Sequence, residues 1–250
     1  MIPYHDENET QRTPYITIAL IALNVLAWLL VQGAGSAEGV MTSVCNLGLI
    51  PGEFTQSVPP GTPFEMGEGA RCLTDPGSAP SHLFTSMFLH GSWMHLLGNM
   101  WFLWLFGNNI EDSMTRPRFL AFYLLCGLAA AFAQIYGEPT SAIPMVGASG
   151  AISGVMGAYL VLFPRVRVWT FVPLGFFFYR IPLPAWVMLI YWAFLQFAGG
   201  LTSIISDEMG GVAFWAHVGG FAAGILLVKV FARSSHLAAH TAETWQPGLN

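Results

Sequence analysis

The stretch VGASGAISGVMGAYLVLFP, residues 146–164, combines an apolar composition with a serine held between glycines. Its composition suits a helix inside a membrane, yet Ser149 stands between Gly147 and Gly150 near its beginning. Another small residue, Ser153, follows one helical turn later. A serine in this setting either lets two helices pack closely or acts as a nucleophile, and the stretch alone does not decide between the two.

The composition of the whole chain predicts an integral membrane protein. Of its 250 residues, 54% are hydrophobic and only 9% are charged, whereas a soluble domain has roughly 25% charged residues. The net charge is -5 at pH 7 and the nine Lys and Arg residues form no basic patch, so we expect no nucleic-acid partner. The three cysteines form no CxxC pair, which disfavours a cysteine zinc site or a redox motif.

Six apolar runs approach the length of about 20 residues that a helix needs to cross a bilayer. These runs are Tyr15–Val31, Leu83–Phe106, Phe119–Ile135, Met145–Phe163, Leu183–Ile204 and Val212–Phe231. Between the fourth and fifth runs, the aromatic segment 165–184 contains Pro173, Pro182 and Pro184. Because proline interrupts helices, this segment is interpreted as an interfacial connector and not as a further span.

We therefore expect an all-α polytopic membrane protein, with one six-helix domain at 15–232 and a long outer loop at 33–80. Short tails at 1–14 and 233–250 flank that domain. If the N-terminus is cytoplasmic, only Arg71 among the nine basic residues falls outside. The basic residues of the inside segments are Arg12, Arg116, Arg118, Arg165, Arg167, Arg180, Lys229 and Arg233. This asymmetry follows the positive-inside rule and predicts that both termini are cytoplasmic.

Polar side chains occur at similar depth in three of the expected spans. His95 lies in the second span, Ser149 near the start of the fourth and His217 near the start of the sixth. These spans run in the same direction, so the three side chains should lie roughly 5–20 Å below the outer surface. An ionisable group inside a membrane is costly and is by default a functional-site hypothesis. The alternative for each histidine is a hydrogen bond to a neighbouring helix with no other role.

The spacing of small residues predicts that the fourth and sixth helices meet. Small residues continue one helical face from Ser149, and Gly220 and Gly224 continue one face from His217. Such faces let membrane helices approach closely, which would bring Ser149 opposite His217 as a nucleophile and its base.

In the second span, His95 and Asn99 lie one turn apart on one face. Both side chains can donate hydrogen bonds, as an oxyanion hole requires. The alternative is a polar contact that only joins two helices.

Together these residues form a recognisable pattern, and the sequence resembles the rhomboid family of intramembrane serine proteases between about Ser81 and Gly224. The matching motifs are FLHGSWMHLLGN at 88–99, GNNIE at 107–111, GASG at 147–150 and AHVGGFAAG at 216–224. The serine motif alone would be weak, but its position two spans after the first motif and two before the last makes the combination specific. The resemblance implies a six-helix rhomboid-like bundle.

The resemblance also implies a serine endopeptidase that cleaves transmembrane or juxtamembrane segments of proteins in the lipid bilayer, without a cofactor or a metal. Ser149 would attack the peptide carbonyl and His217 would accept and return its proton. The Ser149 backbone N–H, His95 and Asn99 would stabilise the oxyanion. Supporting roles are implied for His90, Gly147, Gly150 and Glu111. The Asp and Glu residues fall in loops or at helix ends, so we expect a dyad with no carboxylate behind the histidine.

Two positions depart from the family pattern. Ser81 and His82 stand where many relatives have Trp-Arg, which puts the usual anchoring of the first loop in doubt. Ser153 stands one turn after the nucleophile, where relatives often place an aromatic ring beneath the histidine. Another group must then position His217, or its orientation is looser.

The long outer loop carries Cys45 and Cys72. A disulfide between them is a hypothesis for an oxidising compartment, and it would stabilise the loop by roughly 3–4 kcal/mol. The short loops, with no added soluble domain or organelle-targeting presequence, favour a bacterial inner membrane, with the active site opening to the outer side.

Three other functions fit the sequence less well. A catalytically inactive relative that binds membrane clients would typically have lost the serine or the histidine, and both are present. A transporter or metal channel could use His90, His95 and His217, but the carboxylates expected beside them are absent from the spans. A metalloprotease would require HExxH, which does not occur.

Overall fold

The computed structural model describes residues 1–65, 71–75, 80–174, 177–206 and 212–237. The expected C-terminal tail therefore lies largely outside the described residues, as do parts of the long first loop. Most of the described chain is helical. The helices are α1 (Tyr15–Leu26), α2 (Ala37–Leu47), α3 (Pro51–Phe54), α4 (His82–Thr85), α5 (Trp93–Asp112), α6 (Arg116–Gly137), α7 (Ser149–Leu162), α8 (Ala185–Ser206) and α9 (Phe214–Phe231). A π-helical turn, Ala27–Val31, extends α1.

Three helices of the described chain are long and apolar enough to cross a membrane. They are α6, the Ala185–Thr202 part of α8, and α9. Two more, α7 and the Tyr15–Val31 continuation of α1, are apolar but shorter, and α5 has 20 residues. The protein is thus a mainly helical membrane protein, while the count of six spans stays a prediction.

The second apolar run, Leu83–Phe106, does not form one helix as expected. The short α4 is followed by a 3-10 turn, and the chain is extended at Leu89. Helix α5 begins only after Ser92, whose Oγ accepts a hydrogen bond from the backbone N–H of His95 at 3.1 Å. This serine N-cap satisfies one of the otherwise unpaired first N–H groups of the helix. His90 therefore lies before the helix, and His95 is its third residue.

The fourth run also forms a helix later than expected, because α7 begins only at Ser149 and Met145 pairs with the first loop. The backbone of Met145 pairs with that of Leu49 through N···O distances of 2.7 and 3.1 Å. Three residues further along the loop, Gly52 N–H donates to the Ser141 carbonyl at 2.8 Å. The long first loop is thereby attached to the segment that leads into α7.

Cysteines 45 and 72 form a disulfide, as hypothesised. Their Cα atoms lie 5.8 Å apart, and the bond joins α2 to β3 (Arg71–Leu73). Strand β3 pairs in antiparallel fashion with β2 (Pro63–Glu65). The Thr85 hydroxyl donates to the Leu47 carbonyl at 2.7 Å and gives the loop a further attachment beside His82. The loop is thus anchored although the Trp-Arg pair is missing.

The expected all-α class is incomplete, since a three-stranded antiparallel sheet lies beside the helices. Its order is β1 (Ile2–Asp6), β4 (Arg167–Leu174) and β5 (Phe177–Pro184). The connector at 165–184 is thus a β-hairpin, and its prolines do exclude a spanning helix. The N-terminal tail is not free, because β1 pairs with β4 and the Asp6 carboxylate accepts from the Tyr159 hydroxyl at 2.6 Å.

The predicted contact between the fourth and sixth helices is confirmed. A Cβ atom on Gly220 would overlap the Gly150 carbonyl oxygen, and one on Gly224 would overlap that of Gly154. The two helix backbones therefore touch at successive turns, which is the close approach that small residues permit in membranes. This contact sets the position of both residues of the expected dyad.

Charged groups join several helices at the end of α5 that is remote from its start. Glu111 Oε1 accepts the backbone N–H of Ile16 at 3.0 Å and Oε2 accepts that of Thr17 at 2.8 Å, so Glu111 caps the beginning of α1. The Arg12 guanidinium pairs with Asp112, Nε to Oδ1, at 2.8 Å. The resemblance implied that Glu111 anchors either the long first loop or the inner end of the second span, and Glu111 joins that end of α5 to α1.

Candidate active site

The hydroxyl of Ser149 and the imidazole of His217 form a hydrogen bond. Ser149 is the first residue of α7 and His217 is the fourth of α9. The distance from Ser149 Oγ to His217 Nε2 is 2.7 Å, within the range of an O–H···N hydrogen bond between a nucleophile and its base. The serine is half-buried, as is the histidine.

The three residues expected at a common depth all lie in the first turn of their helices. The apolar run Leu83–Phe106 would put His95 about twelve residues into a span, and this is wrong, because His95 is the third residue of α5. The cause is the break before Ser92, which the apolar run concealed. Ser149, His95 and His217 are residues one, three and four of their helices. Counted from the start of each helix, at about 1.5 Å per residue, these positions differ by roughly 5 Å.

The backbone at Gly147 lies against both expected oxyanion donors. Its φ of +122° is a conformation that L side chains rarely adopt. A Cβ atom there would lie 2.7 Å from His95 Nε2 and 3.5 Å from Asn99 Nδ2. His95 and Asn99 thus converge on the chain two residues before Ser149.

A third donor comes from the helix itself. The first N–H groups of an α-helix have no carbonyl partner within the helix, and Ser149 is the first residue of α7. The helix N-terminus also carries partial positive charge. The backbone N–H of Ser149, the imidazole of His95 and the side-chain amide of Asn99 can together stabilise a negatively charged oxygen next to Ser149 Oγ.

A cavity of about 910 Å³ contains the site. Its walls include Ser149, His217, His95 and Asn99, together with the segment 140–146 that leads into α7. The volume is at the large end of the range for ligand sites and leaves room for an extended peptide and for water. The remaining lining includes apolar side chains from α5, α7, α8 and α9, among them Met94, Phe102, Ile152, Met156, Trp192 and Phe214.

Like Gly147, the expected supporting residues His90 and Gly150 lie beside the site, whereas Glu111 does not. The ring of His90 packs edge-on against that of His95, with centroids 5.1 Å apart. A Cβ on Gly150 would lie 2.5 Å from the Cβ of Ala130 in α6, so only glycine fits there. Glu111 is 16 residues after His95 in the same helix, about 24 Å along its axis, and takes no direct part in the site.

The sequence analysis missed two residues of α8 that contact His217. Gln196 Oε1 lies 2.7 Å from His217 Nδ1, and the Trp192 ring lies 5.8 Å from the imidazole, centroid to centroid, with an interplanar angle of 43°. The available signal was Gln196 itself, an amide side chain within the apolar run Leu183–Ile204. Ser153 has a different role, since its hydroxyl donates to the Ser149 carbonyl at 2.6 Å.

Within the part of the chain that the structure describes, no three His, Cys, Asp or Glu side chains are grouped as metal ligands would be. The histidines of the site are instead engaged with Ser149, Gln196 and each other. The arrangement has the geometry of nucleophile, base and oxyanion donors.

Comparison with known proteins gives the family. A profile of the Rhomboid domain matches residues 78–234, more than half of the chain. Rhomboid protein 1, mitochondrial, of Saccharomyces cerevisiae is 29% identical over 145 residues, which cover 56% of this chain and 39% of the yeast protein. RHOMBOID-like protein 5 of Arabidopsis thaliana is 29% identical over 163 residues, or 65% of this chain and 47% of the relative.

A human relative, Presenilin-associated rhomboid-like protein, mitochondrial, is 33% identical over 90 residues, covering 35% of this chain and 24% of its own length. The matched segments thus span less than half of each of these three relatives. The Rhomboid profile covers α4 to α9 and includes the hydroxyl–imidazole pair, the oxyanion donors and the glycine contact between α7 and α9. On this evidence the chain belongs to the rhomboid family.

Proposed function

We propose that the protein is an intramembrane serine endopeptidase that cleaves transmembrane or juxtamembrane segments of membrane proteins. The observation that carries the proposal is the 2.7 Å hydrogen bond between Ser149 Oγ and His217 Nε2 inside a cavity large enough for a peptide. Membership of the rhomboid family supports it. An inactive, client-binding relative is the alternative, and the intact nucleophile–base pair argues against it.

The first half of the reaction transfers the acyl group to the serine. Ser149 Oγ attacks the peptide carbonyl carbon while His217 Nε2 takes the hydroxyl proton. The carbonyl oxygen becomes an oxyanion, which accepts hydrogen bonds from the Ser149 backbone N–H, His95 and Asn99. When the C–N bond breaks, His217 gives its proton to the departing amine and an acyl-enzyme remains.

The second half consumes water, which a bilayer does not supply. A water molecule in the cavity loses a proton to His217 and attacks the ester carbon of the acyl-enzyme. The same donors hold the second oxyanion, and Ser149 Oγ leaves with the proton from His217. The position of Ser149, His95 and His217 in the first turns of their helices favours a site near one membrane surface, where water can enter.

For the orientation in the membrane, we propose that α1, α5, α6, α7, α8 and α9 are the six spans. The ends of α5 and α9 remote from the site lie against basic residues, since Arg12 pairs with Asp112 and Arg118 Nε donates to the Phe231 carbonyl at 2.8 Å. Basic residues favour the cytoplasmic side. The cavity would then open to the outer side.

The compartment is less constrained. The names of the yeast and human relatives describe those proteins as mitochondrial, so they lend no support to the bacterial inner membrane expected from the sequence. That expectation stays a prediction, while a multi-pass membrane location with its site facing outward is our proposal.

The test is cleavage by the purified protein in detergent or proteoliposomes. A substrate with one transmembrane segment should be cut by wild type and left intact by Ser149→Ala, and a fluorophosphonate probe should label only the wild type. Equal cleavage by the two would refute Ser149 as the nucleophile. Binding of the substrate by both without cleavage, and no labelling of the wild type, would favour the client-binding alternative.

A further inference from the structure

The imidazole of His217 is held from both sides by groups on different helices. Nε2 faces Ser149 Oγ of α7 at 2.7 Å, and Nδ1 faces Gln196 Oε1 of α8 at the same distance. The three side chains form an unbroken row from nucleophile to base to amide. A serine-protease triad has the same order, with a carboxylate in the third place.

The third group determines which nitrogen of the histidine carries the proton. A neutral imidazole has one N–H and one acceptor nitrogen. To take the Ser149 proton, Nε2 must be the acceptor, so Nδ1 must carry the hydrogen. An amide oxygen accepts that hydrogen and holds this tautomer, whereas an apolar neighbour would leave the two tautomers nearly equal.

We infer that Gln196 is the positioning residue of the catalytic base, the third member of a Ser149–His217–Gln196 row. This inference rests on the proposed protease function and names a residue that the sequence analysis did not assign. Gln196 touches neither the peptide nor the water in this scheme. It acts through His217 by fixing the proton on Nδ1 and the plane of the ring.

The structure explains why this residue is required here. The expected aromatic ring beneath His217 is replaced by Ser153, whose hydroxyl instead donates to the Ser149 carbonyl of its own helix. The face of α8 toward His217 supplies Gln196 and, one turn earlier, Trp192. The groups that orient His217 therefore belong to α8 and not to α7, the helix that carries Ser149.

Because α8 holds the base, the position of this helix affects catalysis. In the apolar part of α8, Ala185–Thr202, only 22% of the residues are buried. The corresponding shares are 50% for α6 and 28% for α9. Helix α8 contacts α9 where Gly199 meets the ring of Phe214 and Gly200 meets that of Trp215. Since Gln196 belongs to α8, a displacement of this helix would withdraw the amide from His217 Nδ1.

Two substitutions separate a positioning role from a structural one. Gln196→Leu keeps the size of the side chain and removes the acceptor, so kcat should fall by about 10- to 100-fold with little change in KM. Gln196→Glu restores an acceptor and adds a negative charge beside the imidazolium. It should keep activity and move the acidic limb of the kcat/KM profile about one to three pH units upward. His95, the other titratable group acting on His217, is unchanged in both variants.

Leu195→Met is the matched control, since Leu195 is the next residue of α8 and is exposed away from the protein interior. It should match the wild type in kcat and in pH profile. Wild-type kcat and pH profile for Gln196→Leu would overturn the inference, and so would an unshifted acidic limb for Gln196→Glu.

A measurement independent of activity reads the tautomer directly. Nitrogen-15 NMR of labelled histidine should show His217 with its hydrogen on Nδ1 in the wild type and a mixture of tautomers in Gln196→Leu. Ser149→Ala cleavage decides the proposed function, whereas this spectrum decides the role of Gln196 even if no cleavage occurs. The same tautomer populations in both proteins would overturn the inference.

Discussion

Replacing Gly147 with alanine should disable the oxyanion hole while leaving the dyad in place. The new Cβ would lie 2.7 Å from His95 Nε2 and 2.9 Å from Cε1, whereas ordinary contact begins at 3.4 Å. The His95 ring must therefore retreat by about 0.7 Å, the difference between these distances. Asn99 Nδ2, at 3.5 Å, is only just in contact and need not move.

The size of the effect follows from what His95 does in the proposed mechanism. Loss of one oxyanion donor costs about 10²–10³ in kcat, and a displacement approaching 1 Å can by itself cost about 10²-fold. We therefore expect kcat to fall by about 100-fold. The φ of +122° adds backbone strain of about 1–3 kcal/mol, which should also lower the free energy of unfolding.

A second glycine separates these two effects. Gly61 also has a positive φ, +79°, but a Cβ there would meet no heavy atom within 4 Å. Gly61→Ala should therefore lower stability through backbone strain and leave kcat unchanged. The assay is cleavage of a transmembrane substrate by each variant, paired with its thermal unfolding in the same detergent.

The reasoning is refuted if Gly147→Ala keeps kcat within about twofold of the wild type while it remains folded. It is equally refuted if Gly61→Ala loses as much activity, because the loss would then come from general backbone strain. Fluorophosphonate labelling should persist in Gly147→Ala at a reduced rate, since Ser149 and His217 stay in contact.

Three further perturbations test other parts of the structure. Gly220→Val should push α9 away from α7 and lower kcat by at least about 10²-fold, whereas Ala222→Val, on the exposed side of the same helix, should not; equal activities would contradict the packing argument. Cys72→Ser should lower the free energy of unfolding by about 3–4 kcal/mol, since it opens the loop closed by the bond to Cys45; a chemical denaturation curve unchanged by the substitution would count against this. Burial raises the pKa of Glu53 above its usual value of 4.5. The folded protein therefore keeps the Glu53 proton to higher pH than the unfolded chain. The free energy of unfolding should fall as pH rises from about 4.5 through the raised pKa. Glu53→Gln should flatten that pH dependence, and an unchanged slope would show that other groups cause it.

Several features were predictable because they depend on residues close in sequence. The close contact of the fourth and sixth helices followed from glycines at helical spacing, and the structure brings Gly220 and Gly224 against α7 as expected. The same periodicity placed Ser149 opposite His217. Composition indicated the membrane, since an apolar chain with so few charges has no other stable environment.

Other predictions failed because hydropathy alone shows neither where a helix is interrupted nor which strands pair. The apolar run from Leu83 to Phe106 concealed a break at His90, Gly91 and Ser92, because three less apolar residues within so long a run do not by themselves show where a helix begins. Hydropathy also gave no sign that β1 pairs with β4 across more than 160 residues of sequence. Strand pairing depends on partners that are distant in the chain, so no local pattern contains it.

The sequence by itself determined the membrane character, the family motifs and the identity of the residues able to act as nucleophile, base and oxyanion donors. Tertiary structure decided what holds the base. The group behind His217 is supplied by α8, whose Gln196 stands 21 positions before the histidine in the sequence. A hydrogen bond of 2.7 Å between two helices depends on their depth and rotation. These are set by packing across the whole bundle and are encoded by no single motif.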